Sequence, residues 1–166
     1  MDEVLMPEKM MQAHAGRVEP FGPDNPGYAG KTMKGEYAMS YYFSKIVKVS
    51  FDEAVVKVTG ELKAEGFGIL TEIDVKETLK KKMDVDFRRY KILGACNPPY
   101  AYKALQAEDK IGTMLPCNVI VQEVSDGQVE ITAIDPLASM QAIENPALKE
   151  IAAEISNKLK TVIERV

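Results

Sequence analysis

Two cysteines are the residues whose type and placement in this sequence point most directly to chemistry. Cys96 lies where a predicted strand meets a predicted helix, and Cys117 lies where the next predicted strand begins. If these strands are antiparallel neighbours, the end of one lies beside the start of the other, and both thiols sit at one edge of the sheet. Such a pair can bind a soft ligand, carry sulfur or cycle between thiol and disulfide. The competing interpretation is inert packing, because a free cysteine often behaves as a small buried hydrophobe.

Three polar residues near the cysteines complete a candidate site. Asn97 and Asn118 each follow a cysteine directly, and Tyr100 lies a few positions further on. Asparagine in such places more often caps a helix or forms a turn than takes part in catalysis. Cys96 also precedes a helix N-terminus, whose partial positive charge can lower the pKa of a thiol. We therefore predict a ligand site formed by Cys96, Asn97, Tyr100, Cys117 and Asn118, with no catalytic residue and no metal site.

Common catalytic and cofactor-binding motifs are absent. His14 is the only histidine, which excludes a zinc site built from imidazoles and a histidine base within the predicted domain. The sequence contains no GxSxG, CxxC or HExxH motif. Gly30-Lys31-Thr32 resembles the end of a phosphate-binding loop, but Asn25 replaces the first glycine and no strand precedes it. We predict a protein without catalysis of its own, and the sequence leaves its cofactor unknown.

Helix caps and hydrophobic periodicity predict the elements that position the cysteines. The predicted strands cover residues 40–49, 67–73, 89–96, 117–124 and 128–134. Cap residues mark the predicted helix starts at Ser50, Asp74, Asn97, Asp135 and Asn145. The last two strands form a hairpin, so the simplest architecture is α+β, with a mainly antiparallel sheet and helices packed on one face.

Composition divides the chain and limits its partners. Residues 1–38 are rich in proline and glycine, so they are predicted to be an extension, flexible or draped over a single domain at 39–166. A formal net charge of -4 argues against nucleic-acid binding as the main role. No apolar stretch is long enough for a membrane span, and no secretory signal is evident. With only two cysteines, a reduced cytoplasmic location is expected.

Two further features of the sequence are compatible either with ligand binding or with an ordinary surface role. A cluster of soft side chains near the N-terminus could hold Cu(I), although a methionine-rich tail is the more common explanation; its members are Met6, Met10, Met11 and His14. Residues 76–91 carry seven basic and three acidic side chains, which gives a local excess of +4. That stretch could hold an anion, or it could be a solvated helix face and loop.

Several separate segments resemble the domain-of-unknown-function-302 family of bacteria and archaea. These segments are Tyr90–Pro98, Ala101–Ala107, Ile111–Gly112, Leu115–Val119 and Ile134–Pro136. They occur in the family's order, and the resemblance covers about residues 39–166. It implies a TBP-like α+β domain that forms a homodimer. The family supplies no catalytic residue to carry over.

Three interpretations of function follow. We favour a domain that binds a small ligand, or acts in regulation, through a cleft near the Cys96 and Cys117 segments. The first alternative is a thiol-dependent redox enzyme or sulfur carrier that uses these two thiols. The second is a purely structural dimerisation module. A thiolate that forms well below the ordinary thiol pKa of about 8.5 would favour the first alternative.

Overall fold

The computed structural model describes residues 40–166, and the strands lie within two residues of their predicted ends. They are β1 (Tyr42–Val47), β2 (Gly68–Asp74), β3 (Tyr90–Cys96), β4 (Cys117–Ser125) and β5 (Gln128–Ile134). The helices are α1 (Phe51–Ala64), α2 (Val75–Met83), α3 (Pro98–Ala107), α4 (Pro136–Ser139) and α5 (Pro146–Arg165). A short 3₁₀ helix, which the sequence did not predict, covers Ile111–Met114.

All five strands form one sheet in the order β1-β5-β4-β3-β2. Every neighbouring pair is antiparallel, which confirms the predicted α+β fold and the antiparallel pairing of β3 with β4. β1 and β2 are consecutive in the chain but lie at opposite edges of the sheet, so α1 connects the two edges. The strands that carry the cysteines are therefore inside the sheet, where both neighbours hold them in register.

The main core lies between one face of the sheet and helices α1 and α5. Alternate residues of the inner strands point into it, and Leu93, Val119 and Ile131 are completely buried. Leu62 of α1 and Leu159 of α5 are equally buried against them. Each such side chain stabilises the fold by roughly 1.5–3 kcal/mol when it leaves water. This burial fixes which face of β3 and β4 points inward.

Local capping signals start most of the helices as predicted. At α1, the Ser50 hydroxyl accepts a bond from the Glu53 backbone N–H, and the Glu53 carboxylate accepts one from the Ser50 backbone. Asp74 caps α2 through its side chain. Asp135 and Asn145 cap α4 and α5 through the backbone N–H two positions further on. These bonds satisfy amides that have no partner within the helix.

The basic stretch at 76–91 forms α2, the following loop and the start of β3. No residue of α2 is buried, so the helix lies on the surface. Lys80 forms ion pairs with Asp84 at 2.7 Å and with Asp86 at 3.4 Å. Part of the positive charge is therefore neutralised by neighbouring acids, as expected for a solvated helix face.

Some predictions remain open. The extension at 1–38 and the cluster of Met6, Met10, Met11 and His14 lie outside the described residues. The TBP-like arrangement, the domain boundary near residue 39, the homodimer and the cytoplasmic location stay predictions. Within residues 40–166, no helix is long and apolar enough to cross a membrane.

Candidate ligand-binding site

The register of β3 and β4 brings the two cysteine segments together. Ala95 lies directly opposite Cys117, and Cys96 is the next residue along β3. Both thiols are therefore at the same end of the sheet, as predicted from an antiparallel pair. Cys117 is buried and Cys96 is partly exposed, and neither forms a disulfide.

A pocket occupies the space between this end of the sheet, α3 and the first half of α5. Its lining residues are Phe67, Ala95, Cys96, Asn97, Tyr100, Ala101, Ala104, Leu115, Pro116, Cys117, Pro136, Met140, Leu148, Ile151, Ala152 and Ile155. The volume of this cavity is about 40 Å³. No charged side chain lines it, and among the lining side chains only Asn97 and Tyr100 carry nitrogen or oxygen. The pocket is thus apolar, and its wall includes two cysteines and two residues with polar side chains.

Asn97 occupies the N-cap position of α3, but its side chain does not cap that helix. Its side-chain amide Nδ2 instead donates to the backbone carbonyl of Glu65 at 3.2 Å. An N-cap side chain normally accepts from the N–H of the second or third helical residue, and here Pro99 fills the second position without an N–H. The predicted cap role of Asn97 is therefore wrong. The residue is 7% exposed and ties the end of α1 to the start of α3.

Tyr100 lies on α3 at the edge of the pocket. Its hydroxyl donates to the carboxylate of Glu154 on α5 at 2.5 Å. This bond stabilises the protonated phenol, so it raises the pKa of Tyr100 above its usual value. The bond joins the two helices that form one wall of the pocket.

Asn118 is the predicted site residue that the structure does not bring into the pocket. It lies directly opposite Gly94, and its side chain is exposed while those of Cys117 and Val119 are buried. Successive side chains of a strand point to opposite faces, so Asn118 points away from the helices. The other four predicted residues, Cys96, Asn97, Tyr100 and Cys117, all line the pocket.

The environment of the two thiols favours their protonated form. Burial raises the pKa of Cys96, and burial together with the nearby Cys96 raises the pKa of Cys117 to about 11. The expected lowering by the helix N-terminus does not occur. The first two residues of α3, Pro98 and Pro99, have no N–H, so the helix offers few amides to a thiolate. These thiols are poor nucleophiles near neutral pH.

Gly94 is a site-forming residue that the sequence analysis did not single out. It is buried on β3, two residues before Cys96. A Cβ at this position would lie 2.2 Å from Thr71 Oγ1 and 2.8 Å from Pro116 Cγ. Only glycine therefore allows β2 and the segment before Cys117 to approach β3 so closely. A glycine within a strand pattern was the available signal, since it often marks a close approach of neighbouring chain segments.

Within the described part of the chain, no group of three or more histidine, cysteine, aspartate or glutamate side chains could hold a metal ion. The two thiols are thus without a third or fourth ligand of those types. Residues 40–166 by themselves therefore do not provide the four ligands of a structural zinc site at the pocket.

Comparisons with known proteins agree with the fold. A family model described as "Domain of unknown function DUF302" matches residues 43–166. An "Uncharacterized protein" of Aquifex aeolicus (strain VF5) is 23% identical over 128 residues, which cover 75% of this chain and 83% of that protein. The crystal structure of an uncharacterized conserved DUF302 protein from Bacillus stearothermophilus has a TM-score of 0.70 and 32% identity. That match covers 75% of this chain and 97% of the other. The chain therefore belongs to the DUF302 family.

Proposed function

We propose that this domain binds a small, uncharged and largely apolar ligand in the pocket beside Cys96 and Cys117, and that it has no catalysis of its own. The observation that carries the proposal is the pocket itself. It lies at a junction of two helices and the sheet, and no charged side chain lines it. An apolar pocket with a few polar groups is the usual form of a small-molecule site.

The size of the pocket limits its ligand. A cavity needs a volume of about 10–15 Å³ to hold one water molecule. The pocket volume of about 40 Å³ therefore corresponds to a few water positions. We infer a ligand of only a few non-hydrogen atoms, or the apolar end of a longer molecule. The polar groups that can orient it are the Asn97 side chain and the Tyr100 hydroxyl.

The thiol-dependent alternative has less support from the same geometry. A nucleophilic or redox cysteine needs a substantial thiolate fraction near neutral pH. Burial raises the pKa of both thiols instead. No charged side chain lines the pocket, so none is available there as a general acid or base. The pocket is therefore better suited to binding than to thiol chemistry.

The test compares two alanines that differ in their relation to the pocket. Ala101 on α3 lines the pocket, whereas Ala153 on α5 is similarly half-buried but does not line it. Replacing either alanine by leucine adds three carbon atoms. We expect A101L to fill part of the pocket and A153L to leave it open. Thermal unfolding of both variants establishes that they fold.

Binding is measured by ligand-observed NMR on the full chain with acetone, 2-propanol and 1-butanol as probes. We expect at least one probe to bind the wild type, and A101L to weaken that binding at least about tenfold while A153L changes it little. A ligand at 100 times its Kd would also raise the free energy of unfolding by about 2.7 kcal/mol. Failure of every probe to bind, or equal binding by A101L, would contradict the proposal.

A further inference from the structure

The sheet has a second face, opposite the one that carries the core. Helices α1 and α5 pack on the side of Leu93, Val119 and Ile131. Successive side chains of a strand alternate between the two faces, so the residues between these point the other way. The strand register aligns those residues in two rows across the sheet, and we call the surface that they form the open face. Its rows are Ser44, Thr132, Ile120, Ile92 and Ile73, and Ile46, Glu130, Gln122 and Tyr90.

The apolar side chains of the open face are not part of the core of residues 40–166, since they belong to neither of its two hydrophobic clusters. Ile120 lies directly opposite Ile92, and Ile92 lies directly opposite Ile73, so the three form a continuous apolar strip across three strands. Ile46 and Ile73 are 47% and 46% exposed. A sheet face in contact with water is usually polar, and a contiguous exposed apolar patch is typical of an interaction surface.

The polar side chains of the open face form hydrogen bonds with one another. The Ser44 hydroxyl donates to Glu130 Oε1 at 2.7 Å, and the Gln122 side-chain amide donates to Glu130 Oε2 at 2.6 Å. The Arg88 guanidinium donates to Gln122 Oε1 at 2.6 Å. A polar group that is already hydrogen-bonded costs less to remove from water than one without a partner. A segment that covers this face therefore needs to supply few hydrogen bonds, and apolar contacts are enough to hold it.

We propose that residues 18–39, which precede the described part of the same chain, dock on the open face. Ser40 leads directly into β1, an edge strand, so this segment is attached at the edge of that face. The backbone carbonyl of Tyr41 accepts from the Asp135 N–H at 2.7 Å, which fixes the point of attachment beside β5. An extended chain advances about 3.3 Å per residue and strands lie about 4.8 Å apart, so crossing five strands takes about six residues. The segment is therefore long enough to cross the whole face.

The composition of residues 18–39 suits an apolar surface. Their aromatic residues are Phe21, Tyr28 and Tyr37, and three prolines lie among them. Proline restricts the backbone and has no N–H, so a proline-rich segment loses less conformational entropy when it docks and leaves fewer amides without a partner. The attachment also raises the effective concentration of the segment at the face to about the millimolar range. Both effects favour this segment over a second copy of the chain.

The experiment places the photocrosslinking residue p-benzoylphenylalanine in the full chain. It replaces Ile120 in the middle of the open face or, as a control, Val56, which is 73% exposed on α1. A tether of this length reaches both sides of the sheet, so a difference in yield reports the docking site. We expect the Ile120 position to give at least about fivefold more crosslink to residues 18–39 than the Val56 position, with a yield that does not change on dilution.

A variant of the segment tests which side chains hold it. We expect the combined substitutions F21S, Y28S and Y37S to lower the yield at the Ile120 position at least about threefold, because the aromatic groups that would leave water are lost. These substitutions lie outside the domain of residues 40–166, and thermal unfolding checks that the domain is unchanged.

Mass spectrometry identifies the crosslinked residues, and gel electrophoresis separates single chains from joined chains. Tyr90, which already carries a para-substituted ring on the open face, is the second position if the Ile120 variant does not fold. Crosslinks mainly between two chains would assign the face to a second copy and overturn the proposal. Equal yields at the Ile120 and Val56 positions, crosslinks confined to residues 40–166, or a yield that the serine variant leaves unchanged would also overturn it.

Discussion

Gly94 offers the sharpest test of how the pocket end of the sheet is built. It lies between Thr71 of β2 and Pro116, and an added methyl group would stand 2.2 Å from Thr71 Oγ1 and 2.8 Å from Pro116 Cγ. Favourable contacts between carbon atoms begin at about 3.5 Å, so both neighbours would have to move by more than half an ångström. Because the neighbours belong to different segments, the Gly94→Ala substitution separates β3 from each of them.

The expected magnitude follows from this double overlap. Overpacking a close-packed region typically costs about 1–3 kcal/mol, and we expect the upper end, about 3 kcal/mol, for G94A. The Thr71→Ala substitution removes Oγ1, the nearer obstacle, and leaves Thr71 Cβ at an ordinary 3.5 Å. The overlap with Pro116 remains. We therefore expect T71A to recover about 1–1.5 kcal/mol when it is combined with G94A.

Urea denaturation of the full chain measures these free energies. Gly68 of the neighbouring strand β2 provides a control, because a Cβ there would have no atom within 4 Å. We expect G68A to change the free energy of unfolding by no more than about 0.5 kcal/mol. A similarly small effect for G94A, or simple additivity of G94A and T71A, would refute the packing described here.

Two further predictions concern the lining of the pocket. Burial raises the pKa of Cys117 to about 11 from an ordinary 9.0, so between these values the folded chain keeps a proton that the unfolded chain releases. The resulting stability is complete below pH 9, and the free energy of unfolding falls by up to about 1.4 kcal/mol per pH unit as pH rises toward 11. Urea unfolding at several pH values should show this slope in wild type and a smaller one in C117A; equal slopes would contradict the buried thiol. The side-chain amide of Asn97 donates to the Glu65 carbonyl. We expect N97S and N97A to lower the free energy of unfolding by the same amount, roughly 1–3 kcal/mol, which is the cost of an unsatisfied buried polar group. Serine is as good an N-cap as asparagine, so thermal unfolding that shows N97S to be as stable as wild type would mean that Asn97 does act as a cap.

The sequence predicts those parts of the fold that depend on neighbouring residues. Ser50 and Glu53 are three residues apart, and the bonds between them form whatever the rest of the chain does. Asp135 and Asn145 likewise cap their helices across two positions. The pairing of β3 with β4 follows less directly, because it joins segments about twenty residues apart. The sequence is compatible with parallel or antiparallel pairing of these strands, and the structure shows that they are antiparallel.

The pocket could not be predicted as a whole because its wall comes from separate parts of the chain. Phe67, Met140 and Ile151 come from three separate segments, and no short motif connects them. Their periodicity indicates only that they are buried. Asn118 was wrongly predicted to line the pocket, because it follows a cysteine directly, as Asn97 does. The alternation of β4 nevertheless points it to the other face.

The two prolines after Asn97 link the local sequence to the ligand that the pocket suits. At α4 and α5, one proline follows the cap residue and the next residue supplies an N–H, which the cap accepts. At α3 a second proline removes that N–H, so Asn97 turns to Glu65 instead. The same loss leaves the helix N-terminus with few free amides, and therefore with little to offer an anion or a thiolate. Such a site is therefore suited to a neutral ligand.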